Sequence, residues 1–350
     1  MYKLGICGHF GTGQNLVDGQ SIKTNIFKNE VGRILGNEQI KTLDTHKWKK
    51  NPLLLLVNSI SLFFSCEKVA ILPGQNGLKV ILPFFLFLSR VFKKEVHYIV
   101  IGGWLPDFLQ KNNKFLKYIK KIKSIHVESH SMIRKLNEAG IDNVFYMPNI
   151  KRLNYLSEEQ LVYEHQIPYK LCTFSRVIKE KGIENAIDAV TSVNNKFKKK
   201  IYTLDIYGPI DESYKQEFAK VMENVDDSIN YKGVISYDNT VSILKDYYLL
   251  LFPTYYSGEG FAGTLLDSLA SGVPIIASDW RYNSEIVKDG VTGFVYSVNK
   301  PQEMITILEN IIDNPHSVIS MKRNCLREYK KYDPTHVVQS FLNIIYEGAL

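Results

Sequence analysis

Two short stretches of the chain combine residue types that can manage a diphosphate. Residues 252–280 read FPTYYSGEGFAGTLLDSLASGVPIIASDW. The pattern predicts a strand ending at Phe252-Pro253, a loop with Ser257, Gly258 and Gly260, a helix from about Ala262, and a Gly-Val-Pro turn into another strand. Such a helix start is an anion site, because its first N–H groups have no partner within the helix and the helix dipole adds positive potential. The small residues Gly260, Ala262 and Gly263 let a diphosphate approach the backbone. Glu259 precedes the helix and Asp267 follows eight residues later, about 2.2 turns, so both carboxylates are expected to line one cleft. Taken singly, Glu259 reads as a helix N-terminal acid, worth a few tenths of a kcal/mol, and Asp267 as a solvated position. The combination is far more specific.

The second stretch, residues 174–187, reads FSRVIKEKGIENAI. A strand ends near Ser175, and Arg176 and Lys181 straddle the loop before a helix. Two fixed cations at a strand end, facing an anion-ready helix, suit a diphosphate. Lys179 and Glu180 read as solvated loop residues.

Alternating strands and helices must hold these loops. Lys3–Cys7, Val69–Leu72, Val96–Ile101 and Ser124–Val127 read as strands of a first half. Leu171–Ser175, Tyr202–Tyr207, Leu249–Phe252 and Pro274–Ala277 read as strands of a second. Helices are expected between them, among them Ile183–Asn194, Ser213–Glu223 and Thr240–Lys245. The alternation implies α/β architecture with parallel sheets covered on both faces. The expected division is 1–165, 166–332 and a closing helix in 333–350 that crosses back to the first domain. Asp333-Pro334 is a natural helix start.

The 350 residues, 45% hydrophobic, are enough for two domains with separate cores. Cys7, Cys66, Cys172 and Cys325 are scattered, which points away from a zinc ribbon or disulfide framework and toward a reducing compartment. Met1–Cys7 reads as a first strand without a leader, so a cytoplasmic location is expected. The apolar runs Leu53–Phe64 and Val80–Phe92 fall short of the roughly 20 residues of a spanning helix and are expected to be buried helices. Residues 1–165 carry 23 Lys and Arg against 13 Asp and Glu, while the remainder carries 20 against 23. The first half therefore favours an anionic partner. No nucleic-acid recognition motif is present. The stretch 111–123, KNNKFLKYIKKIK, sets Phe115, Leu116, Ile119 and Ile122 on one helical face amid Lys114, Lys117, Lys120, Lys121 and Lys123. That pattern suits a helix on an anionic membrane surface or one packed on a sheet.

The two opening stretches resemble the signature of retaining glycosyltransferases of family four, built on the two-domain GT-B architecture. The family's Gly-Arg-x-x-x-x-Lys-Gly corresponds to Ser175-Arg176 with Lys181-Gly182. Its Glu-Gly-Phe-Gly and Glu-Ala-x-Ala-x-Gly-x-Pro correspond to Glu259-Gly260-Phe261-Ala262 and Asp267 through Pro274. The resemblance extends over most of residues 145–310, including Met147-Pro148-Asn149 and Asp289-Gly290 with Gly293-Phe294. Three departures stand out: Asp267 replaces a glutamate, Ser175 a glycine, and Ala262 a second glycine.

The resemblance implies two doubly wound Rossmann-like domains facing across a cleft, a first for the acceptor and a second for a nucleotide-sugar donor. It implies that Arg176 and Lys181 bind the donor diphosphate and Glu259 the donor sugar. Amides of Gly260, Phe261, Ala262, Gly263 and Thr264 meet sugar and phosphate, Asp267 holds the ribose hydroxyls, and Gly208 and Val234 lie near the base. Gly8-His9-Phe10-Gly11-Thr12-Gly13-Gln14 lacks a dinucleotide fingerprint. It looks like the family's phosphate-facing glycine loop, with Gly13 against the donor and Asp18–Ser21 near the acceptor, or else an ordinary βα turn. Relatives place a histidine near the sugar; here Ile101-Gly102-Gly103-Trp104 occupies that strand end, and His97, His126 and His130 stay open candidates. The activity implied is metal-independent, retaining glycosyl transfer to a saccharide or lipid-diphosphate-linked acceptor, in surface polysaccharide or glycoconjugate synthesis. No cofactor beyond the donor, no metal site and no nucleic acid are expected. The rival readings are a sugar-nucleotide epimerase on the same fold and a non-catalytic membrane-associated scaffold.

Overall fold

A computed structural model describes residues 1–11, 19–46 and 51–348. The strands form two separate six-stranded sheets, parallel throughout. The first holds β1 (Tyr2–Gly8), β2 (Ile40–Asp44), β3 (Cys66–Leu72), β4 (Glu95–Ile99), β5 (Ser124–Val127) and β6 (Val144–Tyr146), in the order β2-β1-β3-β4-β5-β6. The second holds β7 (Tyr169–Phe174), β8 (Tyr202–Tyr207), β9 (Ile229–Gly233), β10 (Leu249–Phe252), β11 (Ile275–Ser278) and β12 (Gly293–Tyr296), in the order β12-β11-β10-β7-β8-β9. Both are doubly wound α/β arrangements. In each, the strand order reverses once, between β1 and β3 or between β7 and β10. Open α/β sheets bind ligands beyond the strand carboxyl ends at such a reversal.

The chain divides into two units, residues 1–152 with 332–350, and residues 153–331. The central strands are buried on both faces and therefore read as apolar runs. In the first unit Leu4 and Ile6 of β1 meet Phe27 and Val31 of the helix Gly19–Leu35. Val338 and Phe341 of the helix Pro334–Glu347 complete that core, so the closing helix belongs to this unit. In the second, Ile183, Ile187, Val190 and Val193 recur at helical spacing along Ile183–Phe197. They pack on Leu171, Leu204 and Leu249.

Two expectations need correction. Residues 111–123 do not form one helix: Asn112 separates Leu105–Lys111 from Asn113–Ile119, and the second helix ends before Lys120. Asn112 has φ −134° and ψ 61°, and its side chain bonds to the Phe108 carbonyl, which interrupts the helical ladder. The apolar runs do form helices, Pro52–Ser65 and Gln75–Phe92, but they are not buried all round. Leu53 and Phe64 are 78% and 74% exposed. Among the described residues no helix is long and apolar enough to cross a membrane.

Candidate active site

The two opening stretches meet at the reversal point of the second sheet. β7 ends at Phe174, and Ser175 and Arg176 follow. β10 ends at Phe252, and the loop 253–262 leads into the helix Gly263–Ala270. Because β7 and β10 are neighbours, their carboxyl-end loops are forced together. Thr264 Oγ1 donates to the Phe174 carbonyl at 2.7 Å, and Tyr255 N to the Glu180 carbonyl at 2.8 Å.

Two glycines permit this closeness. Gly182 has φ 69°, and a Cβ there would lie 2.2 Å from the Pro253 carbonyl oxygen. Gly208 has φ 136°, and its Cβ would lie 1.7 Å from the Ser175 carbonyl oxygen. Gly208 thus supports the backbone that presents Arg176. Val234 is 67% exposed beyond β9.

Lys181 and Glu259, 78 residues apart, form an ion pair of 2.5 Å, with side chains 11% and 9% exposed. Thr254 Oγ1 donates to the same Glu259 oxygen at 2.9 Å and accepts from Tyr256 N at 3.2 Å. The Lys181 ammonium lies 5.5 Å from the Tyr256 ring centroid, and the Arg176 guanidinium 5.7 Å from the same centroid. Arg176 is 47% exposed and only loosely paired, 3.8 Å from Asp211. One aromatic ring therefore carries both cations, Arg176 half-exposed and Lys181 nearly buried. Trp280 Nε1 donates to the Tyr256 carbonyl at 2.7 Å and fixes the loop from behind.

The helix Gly263–Ala270 opens at Ala262, and no side chain caps it. Leu265 N turns back to the Ala262 carbonyl at 3.1 Å, and the amides of Gly263 and Thr264 ahead of it lie where a helix start favours an anion. Ala262, one of the three departures, has φ −68° and ψ 120°, a conformation any residue adopts. Asp267 is 1% exposed, not solvated, and accepts from Thr240 Oγ1 at 2.9 Å. Phe261 is buried, while Gly260, Gly263 and Thr264 are partly exposed.

The family model for glycosyl transferases group 1 matches residues 162–332, the stretch carrying all of this geometry. The second unit is a glycosyl transferases group 1 domain. Over 234 residues the chain is 25% identical to an uncharacterized glycosyltransferase of Methanocaldococcus jannaschii, covering 66% of this chain and 57% of that protein. It is 27% identical over 229 residues to the UDP-N-acetylglucosamine–peptide N-acetylglucosaminyltransferase GtfA subunit of Streptococcus agalactiae, covering 63% of this chain and 42% of the subunit. The match thus spans about half the length of these relatives. Anabaena HepE, solved with UDP, superposes with a TM-score of 0.73 at 13% identity, covering 99% of this chain and 100% of HepE. Pneumococcal GtfA, solved with UDP and GlcNAc, gives 0.63 at 15%, covering 84% and 60%. These likenesses establish a GT-B fold class with two Rossmann-like units, the second of which carries the group 1 match.

The first unit's expected site residues fare differently. Gly13, with Thr12, Gln14 and Asp18, lies outside the described residues. His97 and His126 are buried and linked through Ser124 Oγ, 2.7 Å from His97 Nδ1 and 2.8 Å from His126 Nε2. The His126 ring packs edge-on against Phe341 of the closing helix. Burial holds His97 down to about 4 and His126 to about 3, so both are neutral core residues. His130 stacks on Tyr146 with centroids 4.2 Å apart.

Sequence reasoning missed Thr240, Thr254 and Tyr256, which orient the carboxylates and cations. It also missed the buried Lys23–Glu128 ion pair, which ties the helix Gly19–Leu35 to the end of β5. Only Tyr256 had a signal, an aromatic beside the glycine loop. Among the described residues no group of three or more His, Cys, Asp or Glu could hold a metal ion.

Proposed function

We propose that this chain is a retaining, metal-independent glycosyltransferase that draws its sugar from a UDP-linked donor. One observation carries the reading: at the reversal point of the second sheet, Lys181 pairs with Glu259 beside a half-exposed Arg176 and an uncapped helix start. That arrangement gathers positive potential where a leaving diphosphate gains charge as the anomeric bond breaks, and preorganised donors there lower the barrier. Arg176 and Lys181 bind the diphosphate, and the amides of Gly260 to Thr264 complete its cradle. Glu259 takes a sugar hydroxyl. Thr240 orients Asp267 toward the ribose, and Gly208 and Val234 flank the base. Uridine is supported by the relatives named for UDP-N-acetylglucosamine and by the folds solved with UDP. The acceptor is a saccharide, free or lipid-diphosphate-linked, met by the first unit at the cytoplasmic membrane face. The product enters surface polysaccharide or glycoconjugate synthesis. Retention follows from acceptor attack on the face the diphosphate leaves.

A donor panel with EDTA present tests this. A UDP-sugar at a hundredfold its Kd should raise the melting temperature of the second unit by roughly 5–10 °C. The same sugar should be slowly hydrolysed whether or not EDTA is added. Stabilisation by no UDP-sugar overturns the donor assignment, and hydrolysis lost to EDTA and restored by magnesium overturns the metal-free chemistry.

A further inference from the structure

The helices Pro52–Ser65 and Gln75–Phe92 pack on the first sheet and on each other, and Asn113–Ile119 packs beside Gln75–Phe92. Pro52–Ser65 buries only a narrow stripe, Ser59, Leu62 and Phe63. Its other side presents Leu53, Leu54, Leu56, Val57, Ile60 and Phe64, exposed by 78, 57, 43, 58, 40 and 74%. The helix contains no charged residue. Its neighbour adds Val80, Phe87 and Val91, exposed by 48, 61 and 57%. An outward helix face ordinarily carries polar side chains. Scattered exposed apolar residues need no explanation, but a continuous set on two packed helices marks an interaction surface.

The border of this surface is strongly basic. Residues 75–123 carry ten Lys and Arg against two Asp and Glu. Lys111, Lys114, Lys117, Lys120, Lys121 and Lys123 are all exposed, on and beside the third helix of the layer. At the end of the second helix, Arg90 and Lys93 are exposed as well. Such a border complements a sheet of anionic headgroups. A second copy of the chain would instead bring the same basic border against it, like charge facing like.

We propose that this three-helix layer docks on an anionic lipid bilayer. The two apolar helices lie in the plane of the headgroup–acyl boundary, and the lysines beside them meet lipid phosphates. Pro52–Ser65 is about 21 Å long at 1.5 Å per residue, too short to span a bilayer and suited to lying along its surface. The apolar helices supply the anchor, and the lysine-rich stretch supplies charge selectivity rather than insertion. The surface rests on the membrane part of the proposed function and not on its donor chemistry. Vesicle binding and donor hydrolysis therefore fail separately.

The test is flotation with vesicles of phosphatidylcholine alone or mixed with phosphatidylglycerol, at low and high salt. The parent should bind the mixed vesicles and keep part of that binding at high salt, because apolar burial is not screened. Leu54→Ser, Val57→Ser and Phe64→Ser together should lower the partition coefficient about tenfold or more, with melting temperature and donor hydrolysis unchanged. Glutamine at Lys114, Lys117, Lys120 and Lys121 should remove the preference for phosphatidylglycerol but leave the high-salt binding. Parental flotation of the serine variant would overturn the proposal. So would a parent that is dimeric in solution and becomes monomeric in the serine variant, since a second copy would then cover the face.

Discussion

In the first sheet the strand order reverses between β1 and β3, and in the second between β7 and β10. At the second reversal, loops with two cations, a carboxylate and an uncapped helix start are packed together by glycines at positive φ. In the first unit the prominent features lie elsewhere: an outward apolar helix layer with a lysine border, and a core holding neutral histidines. The contrast teaches that a doubly wound sheet fixes where a small ligand site can form but leaves its helical faces free to specialise. One unit concentrates charge at a strand end to grip a small anion. The other spreads apolar and basic groups over a face to meet something extended.

The comparison breaks most sharply at the two cations. Arg176→Ala and Lys181→Ala should each lower kcat by about 10²–10³; the half-exposed Arg176 can be removed with the melting temperature nearly unchanged, whereas loss of Lys181 leaves the Glu259 carboxylate buried without its partner and should lower it. Lys179→Ala, two residues from Lys181 and paired only with exposed Glu217, should leave kcat at the parental value. Equal losses in all three variants would mean that the loop acts through general charge rather than a built site.

The next effect is on the backbone. Gly208→Ala forces a Cβ to within 1.7 Å of the Ser175 carbonyl at φ 136° and should cost the second unit about 3 kcal/mol or more. Gly290→Ala, at φ 69° with open space around its Cβ, should cost only about 1 kcal/mol. Urea denaturation measures both, and equal costs would show that the close approach at Ser175 is relaxed in solution.

The third effect is on pH dependence and is larger in the first unit, which holds two buried histidines, His97 and His126, against one half-buried histidine, His165, in the second. His97 and His126 have folded-state values below the ordinary 6.5, about 4 and about 3. The unfolded chain therefore binds protons that the fold excludes, and stability present above pH 6.5 is lost as the pH falls toward 4. At pH 5 each histidine that stays neutral costs the fold about 2 kcal/mol. Glu95, 3.7 Å from His97 Nε2, offsets part of this for His97. Hydrogen exchange should show first-unit amides opening more than second-unit amides between pH 6.5 and 5, because burial holds only one second-unit histidine, His165, down to about 4. His126→Phe should reduce the difference.

The sequence revealed the strands unevenly, and position in the sheet explains why. The eight strands legible as apolar runs are the inner four of each sheet. The four that were not, β2, β6, β9 and β12, are the sheet edges. An edge strand is paired on one side only, and its apolar pattern is broken, as in Ile40-Lys41-Thr42-Leu43-Asp44 or Ile229-Asn230-Tyr231-Lys232-Gly233. The site was legible where residue type alone implies chemistry: Arg176, Lys181, Glu259 and the small residues before the helix. It was illegible where a common residue gains its role from a distant partner, as Thr240 does from Asp267, 27 residues away. The apolar helices misled for a related reason, since hydropathy reports that a face must be covered without saying by what.

The closing helix Pro334–Glu347 supplies Val337, Val338, Phe341, Leu342 and Ile345 to the core that β1 begins. The first unit is therefore interrupted by the whole of residues 153–331. On a ribosome the second unit is complete and free to fold while the first still lacks one of its walls. At about 5–20 residues per second, roughly 10–40 s pass between emergence of residue 152 and emergence of the helix that seals that core. During this interval Leu4, Ile6 and Phe27 have an incomplete apolar environment. The nascent chain is then most exposed to chaperones and proteases, and a ribosome stalled after residue 331, before the closing helix, would release a half-built first unit beside a finished second one.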